Sequence, residues 1–280
     1  AIVVWKEGES EPDDLEGVGA KWKTSTTDYR EFTGNPDQEI VLYTKARNKY
    51  GVSSYYGTSQ NPTPATYYTL AETPPATTLS GVTTGSIRLN INVGGNPGVT
   101  VYAIKVTTAG GVNRYMASDG SLGGSEVWQT ESAWEGQDGY KTLWGLAPNT
   151  SYYISVAARN RAGVSTGYQN TIIGWTAIES VGSIQAIETT SSTVKVQVIP
   201  GNGTNFTNLG SGQSHIRVST DTAGFPDSGY QVLTTTTVYT FTGRAPNTEQ
   251  TIYAKSYNGA NATTGTNISI TTATRIEPAE

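Results

Sequence analysis

A segment that occurs three times constrains this chain more than any other feature. LAPNTSYYISVAARNRAGVS, starting at Leu146, carries Pro148, Thr150, Tyr152, Ile154, Val156 and Ala158 at every second position and ends in Asn160, Gly163 and Ser165. Strict alternation sends successive side chains to opposite faces of an extended strand, here entered through a Pro-Asn turn and left through a glycine turn. RAPNTEQTIYAKSYNGANAT, starting at Arg244, repeats the pattern at Pro246, Asn247, Thr248, Ile252, Ala254 and Asn258. A weaker copy, GNPDQEIVLYTKARNKYGVS, is in register at Pro36, Ile40, Leu42, Ala46, Asn48, Gly51 and Ser53. Asn48, Asn160 and Asn258 stand 112 and 98 positions apart, a step that suits one β-sandwich of about 100 residues. The Thr-, Ser-, Gly-, Tyr- and Val-rich composition, with 35% hydrophobic residues, fits strands that bury one face only.

Further alternating runs supply the other strands. Ile87, Leu89, Ile91 and Val93 predict a strand B, and Tyr102, Ile104 and Val106 a strand C, of the second domain; Val194, Val196 and Val198, then Ile216 and Val218, do the same in the third. FTG stands before the turn at 32–34 and at 241–243, and LAETPP (70–75) and AIESVG (177–182) read as linkers. The run Leu-x-Pro-x-Thr-x-Tyr, followed by alternating apolar residues and Ala-x-Asn-x-x-Gly, resembles the strand E to strand G region of fibronectin type III domains. That resemblance implies an all-β chain of tandem fibronectin type III-like, immunoglobulin-like β-sandwiches. The expected boundaries are 1–70, 71–177 and 178–276, with 277–280 as a linker or tail. It also implies a tyrosine corner at Tyr152, whose hydroxyl would tie the E–F turn to the backbone. The third domain departs from the pattern, with Arg244 at the leucine and Gln250 at the tyrosine position, so its corner must be held otherwise.

Alignment of the first copy places IVVW (2–5) on strand C, so strands A and B are expected to be missing from the first domain. An uncovered sandwich face exposes apolar side chains and a strand edge. Tyr29, Phe32, Ile40 and Leu42 are therefore candidates for a strand-acceptor face. Three readings stay open: an excerpt of a longer chain, strands supplied by a neighbouring subunit in a head-to-tail fibre, or another arrangement of the first domain with Trp5 on strand B. RIEPAE at the C-terminus is similar to the linker at 70–75, which leaves room for a further domain.

The net charge of -5 is local, because Glu7, Glu9, Glu11, Asp13, Asp14 and Glu16 fall within ten residues that contain no base. The remainder is near neutral and has no basic stripe for nucleic acid. The absence of cysteine removes disulfides, thiolate metal sites and cysteine nucleophiles. Cysteine-free tandem sandwiches suit a bacterial, archaeal or phage surface protein. No apolar run reaches the length of a membrane span.

The six acids at 7–16 are a weak calcium candidate without the frame of an EF-hand loop; the bland reading is a solvated loop. Trp128 and Trp134, in the long C-to-E stretch of the second domain, can pack on the sandwich, contact a protein or stack on a sugar ring. Trp144 and Trp175 are expected in strands E and G, in the core or at its margin. Asn149, Asn202, Asn205, Asn261 and Asn267 begin Asn-x-Ser/Thr triplets and are candidate glycosylation sites, although Asn149 also has a turn role. His215 is the only histidine, and no nucleophile elbow or phosphate-binding loop accompanies it.

The expected function is non-catalytic: an extracellular structural or adhesion protein, acting as tandem spacer, adhesin or filament subunit at a cell or virion surface. No enzyme activity and no cofactor are expected. The partners would be protein, through self-association or neighbouring domains, or carbohydrate. The alternative is the accessory region of a secreted polysaccharide-degrading enzyme.

Overall fold

The computed structural model describes residues 2–6, 32–50, 52–55, 57–58, 61–62, 65–220 and 230–277. In the first domain, β1 (Ile2–Lys6) pairs antiparallel with β2 (Glu39–Arg47). The opposite edge of β2 is covered in two pieces, by β3 (Ser53–Tyr55) and β6 (Ala65–Tyr68). Between those pieces β4 (Gly57–Thr58) pairs with β5 (Asn61–Pro62). Ile2 lies opposite Ala46 as Tyr102 does opposite Ala158 and Ile216 opposite Ser256. IVVW is thus the counterpart of strand C, and β2 that of strand F.

The second domain closes as two sheets. β7 (Thr78–Ser80), β8 (Ser86–Asn90) and β13 (Lys141–Trp144) form one, in the order β13-β8-β7. The other is built on β9 (Val101–Thr108) and β14 (Ser151–Arg159). β10 (Asn113–Met116), β11 (Leu122–Gly123) and β12 (Gln129–Thr130) extend it beyond β9, and β15 (Gln169–Trp175) beyond β14. Ile87, Leu89, Tyr102, Ile104, Val106, Leu143, Tyr152, Ile154, Val156 and Ala158 meet between the sheets. These are the alternate positions of the sequence pattern, facing inward as the two-residue period of a strand requires.

In the third domain, β16 (Val181–Thr189), β17 (Val194–Pro200) and β20 (Val238–Phe241) make the first sheet. β18 (His215–Ser219), β19 (Gln231–Leu233), β21 (Glu249–Tyr257) and β22 (Thr263–Ala273) make the second, in the order β19-β18-β21-β22. Val194, Val196, Val198, Ile216, Val218, Phe241, Ile252 and Ala254 fill the space between them. An A-B-E sheet facing a C′-C-F-G sheet, all antiparallel, is the fibronectin type III arrangement. The chain is an all-β tandem of such sandwiches.

Among the described residues one short helix interrupts the strands. α1 (Glu131–Glu135) starts at Thr130, whose side chain accepts from the Ala133 N–H, and it buries Trp134 and Glu135. The Trp134 indole is 2% exposed and donates to Tyr102 O at 2.9 Å. Beyond the end of β8, the Ile91 N–H is taken by Glu135 Oε1, while Asn90 Nδ2 reaches Glu135 Oε2 at 2.9 Å. Burial raises the pKa of this carboxyl.

Trp144 is 47% exposed and corrects the core expectation for it. Leu143 points inward in β13, so its neighbour must point out. The Trp144 ring lies along the surface, bonded through Nε1 to Asp119 O at 2.9 Å.

Candidate functional site at the domain junctions

The E–F turn of each domain is built around one residue in the left-handed region, namely Asp37 (φ 46°), Asn149 (φ 46°) and Asn247 (φ 50°). Asp and Asn are the residue types that tolerate this conformation. Each is held from behind by its own domain. The N–H of Asp37 reaches Leu70 O, that of Asn149 reaches Ala177 O, and that of Asn247 reaches Arg275 O. A threonine at the end of the last strand locks the same turn. Thr176 Oγ1 donates to Ala147 O at 2.7 Å and receives the Thr150 N–H at 2.9 Å, and Thr274 Oγ1 makes the equivalent bonds to Ala245 O at 2.6 Å and from the Thr248 N–H at 3.0 Å.

These fixed turns meet the following domain. Asn149 Oδ1 accepts from Gly259 N at 2.8 Å, and its Nδ2 donates to Thr207 O at 3.1 Å and Asn208 O at 2.7 Å. Asp37 Oδ1 accepts from Arg161 N at 2.9 Å, and its Oδ2 from Thr100 Oγ1 at 2.7 Å. Arg161 and Gly259 each follow the repeated F–G asparagine, so the two contacts are the same contact. In the reverse direction, Asn160 Nδ2 donates to Thr69 O at 2.9 Å and Asn258 Nδ2 to Thr176 O at 3.1 Å. The Oδ1 of those asparagines meanwhile stays inside the turn, accepting from Val164 N and from Ala260 N and Ala262 N.

A linker glutamate completes each junction. Glu72 Oε2 accepts from Gly95 N at 2.7 Å, and the Glu72 backbone exchanges two bonds with the Asn96 side chain, at 2.7 and 2.9 Å. Glu179 takes Thr207 N at 2.8 Å and Thr207 Oγ1 at 2.5 Å. Hydrogen bonds to a charged acceptor are worth about 1.5–3 kcal/mol, roughly twice the neutral kind. The preceding linker residues, Ala71 and Ile178, are buried in the core of the domain that follows.

The contacts also differ beside the F–G asparagine. Arg161 lies over the Tyr68 ring, with its guanidinium carbon 4.5 Å from the centroid, and bonds Glu39 at 3.2 Å. At the second junction Trp175 packs flat on Gly259, where any Cβ would overlap the indole. Charge pairing over a tyrosine is thus replaced by aromatic packing on bare backbone.

The other candidates distribute as follows. Asn149 is fully buried and both its amide groups are engaged, so it offers no acceptor for a sugar in the folded tandem. Asn202, Asn205, Asn261 and Asn267 are exposed. Trp134 belongs to the core, which leaves packing as its role. Trp128 is half-buried, with the Arg159 guanidinium carbon 3.6 Å from the ring centroid and its Nε1 bonded to Glu126 at 3.0 Å. One ring face is therefore covered. Ile40 is buried and Phe32 and Leu42 half-buried, while Tyr29 and the acids Glu7, Glu9, Glu11, Asp13, Asp14 and Glu16 lie outside the described residues. Among the described residues no cluster of three potential metal ligands occurs and no helix is long and apolar enough to cross a membrane.

The sequence pointed to Asn149, Asn160 and Asn258 as turn or repeat positions and not as junction contacts, and it did not point to Asp37, Glu72 or Glu179, although a signal was there. Thr69, Thr176 and Thr274 and likewise Glu72, Glu179 and Glu277 recur at steps of 107 and 98.

No family model matches the sequence, and no curated protein matches it. Among solved structures the chain is similar to a two-domain fibronectin type III segment of chicken tenascin, at 17% identity and a TM-score of 0.47, over 72% of this chain and 100% of that one. It is also similar to the FN1–FN3 domains of chicken CNTN1, at 14% identity and a TM-score of 0.29, over 84% of this chain and 78% of that one.

Proposed function

We propose that this is a non-catalytic structural or adhesion protein of a cell or virion surface, in which the tandem acts as a stiff spacer. Fibronectin type III-like tandems fit a role of that kind. The observation that carries the reading is the repeated junction: two successive interfaces use the same left-handed turn position, filled by Asp37 and then Asn149, an F–G asparagine and a linker glutamate. A flexible string of beads needs none of these, since interdomain motion is the default where few contacts cross. His215 supports the non-catalytic part. Its Nδ1 is 2.7 Å from Gln213 O and its Nε2 accepts from Arg217 Nε at 3.0 Å, so both ring nitrogens are bonded to neighbours on and beside β18.

Small-angle scattering of the whole chain tests the spacer. The wild type is expected to give the profile of one elongated particle, and the double variant Asn149→Gly, Glu179→Ala the broadened profile of jointed domains. Glycine keeps the positive φ at position 149, so the turn itself survives. A wild-type profile already described by freely jointed domains would overturn the proposal.

A further inference from the structure

At both junctions the residue after the F–G asparagine takes the contact from the domain before, but only the second junction puts a glycine there. Asn160 is followed by Arg161, and Asn258 by Gly259. The backbone does not call for that glycine, since its φ is not positive. Trp175 does, because a Cβ on Gly259 would overlap the indole. The asparagine is fixed as firmly. Its Nδ2 donates to Thr176 O at 3.1 Å across the junction, and its Oδ1 accepts from Ala260 N and Ala262 N at 3.1 and 2.9 Å. Two separate packing demands thus write an Asn-Gly pair into the interface.

Asparagine is a chemically labile residue, and a following glycine makes it most so, because no side chain hinders cyclisation. The glycine nitrogen gives up its proton and attacks the asparagine Cγ; a C–N bond forms, the Cγ–Nδ2 bond breaks, and the amide leaves as ammonia with that proton. Water then opens the succinimide at either carbonyl, leaving aspartate or isoaspartate, so that one water is consumed for each ammonia released. Docking holds both reacting atoms apart. Gly259 N is committed to Asn149 Oδ1 at 2.8 Å, and Gly259 O takes the Gln213 N–H at 2.9 Å. The Asn258 side chain is anchored through both of its polar atoms and is 4% exposed. The sequence has one other such pair, Asn202-Gly203, and it is exposed. Asn202 has only the Thr204 N–H at 2.9 Å and Asn205 O at 3.4 Å as partners.

We propose that Asn258-Gly259 is a self-modification site, held unreactive while the second domain is docked on the third and released when that junction opens. The product cannot redock as before. A carboxylate at position 258 has no donor for Thr176 O and sets two acceptors against each other. Isoaspartate in addition lengthens the backbone beside Trp175. An opening that lasts is therefore recorded as a permanent loss of the contact. The first junction lacks this record, because the Arg161 side chain hinders the same attack on Asn160. The inference rests on the closed junction of the proposed spacer and adds that closure preserves the junction chemically.

Peptide mapping by mass spectrometry of the full chain, incubated at pH 8, is the test. Asn202 is expected to convert steadily and to serve as the clock within each sample, with Asn258 at least tenfold slower in the wild type. Asn149→Gly keeps the positive φ of its turn but removes the acceptor for Gly259 N. Glu179→Ala loosens the junction from the linker and leaves the bonds of Asn258 and Gly259 untouched. Each should speed conversion of Asn258 at least fivefold at an unchanged Asn202 rate. Asn258→Asp, which carries the product from the start, should broaden the scattering profile as an opened junction does. Wild-type conversion of Asn258 as fast as Asn202, an Asn258 rate indifferent to both junction substitutions, or an Asn258→Asp chain that scatters like the wild type would overturn the inference. Stiffness of the unmodified chain is read from its own scattering, so the failure of either proposal is told from that of the other.

Discussion

Tyr152 and Gln250 occupy the same place in successive domains and show what a corner gains from one hydroxyl. The Tyr152 ring fills the core, and its oxygen accepts the Ala147 N–H at 2.8 Å. Tyr152→Phe keeps the shape and leaves that N–H unpaired, so it should cost on the order of 1 kcal/mol, read as a lower denaturant midpoint with an unchanged slope. Gln250 instead buries an amide whose oxygen and nitrogen find no partner. Its corner is held by the Thr274 hydroxyl and by the Asn247 N–H on Arg275 O, a solution that sequence could predict as a need but not locate, because both partners lie beyond the far strand. Gln250→Tyr should therefore stabilise the third domain by about 1 kcal/mol, as it replaces an unsatisfied amide with a group able to accept the Ala245 N–H. A raised melting temperature for the domain is the expected result. Trp144 carries the opposite lesson: its residue type suggested the core, yet strand parity, legible from Leu143, sends it to the surface.

At the scale of elements, β18 and β21 make a titratable seam. His215 stacks on Tyr257 at 4.7 Å between ring centroids, with the Arg217 guanidinium carbon 4.3 Å from the same tyrosine centroid. Burial lowers the His215 pKa, the Arg217 charge adds to that, and the Gln213 carbonyl opposes it. The unfolded chain therefore binds this proton more readily than the folded one. The associated stability is complete above the ordinary histidine value of about 6.5 and is lost as pH falls below it. Denaturation of the wild type and of His215→Gln at pH 8 and pH 5 should show a larger loss on acidification in the wild type. The strands themselves were readable because one buried face imposes a two-residue period. α1 was not readable, since five residues are too few for a helical period, and what holds it is Glu135 and Trp134 reaching β8 and β9 across the fold.

At the scale of the whole molecule the repeat was legible in the sequence and the junctions were not. The repeated asparagines read as turn residues, and in the turn they are. Their second task, bonding the carbonyl of Thr69 or Thr176 at the end of the preceding domain, 91 and 82 positions away, changes nothing in the local alternation of either segment. The linker is where sequence position and packing disagree. Ile178 sits between domains in the sequence and inside the core of the third in space, as Ala71 does in the second. Tension applied across the second and third domains thus finds no slack linker between them to lengthen first. Drawing Ile178 out exposes apolar surface worth roughly 1.5–3 kcal/mol and frees the end of β16 along with it. Under a steadily rising pull, the extension trace of the second and third domains should stay flat until an abrupt rupture, without the gradual low-force lengthening of a hinge. A soft early rise would show that the linker peels away before the sandwich gives.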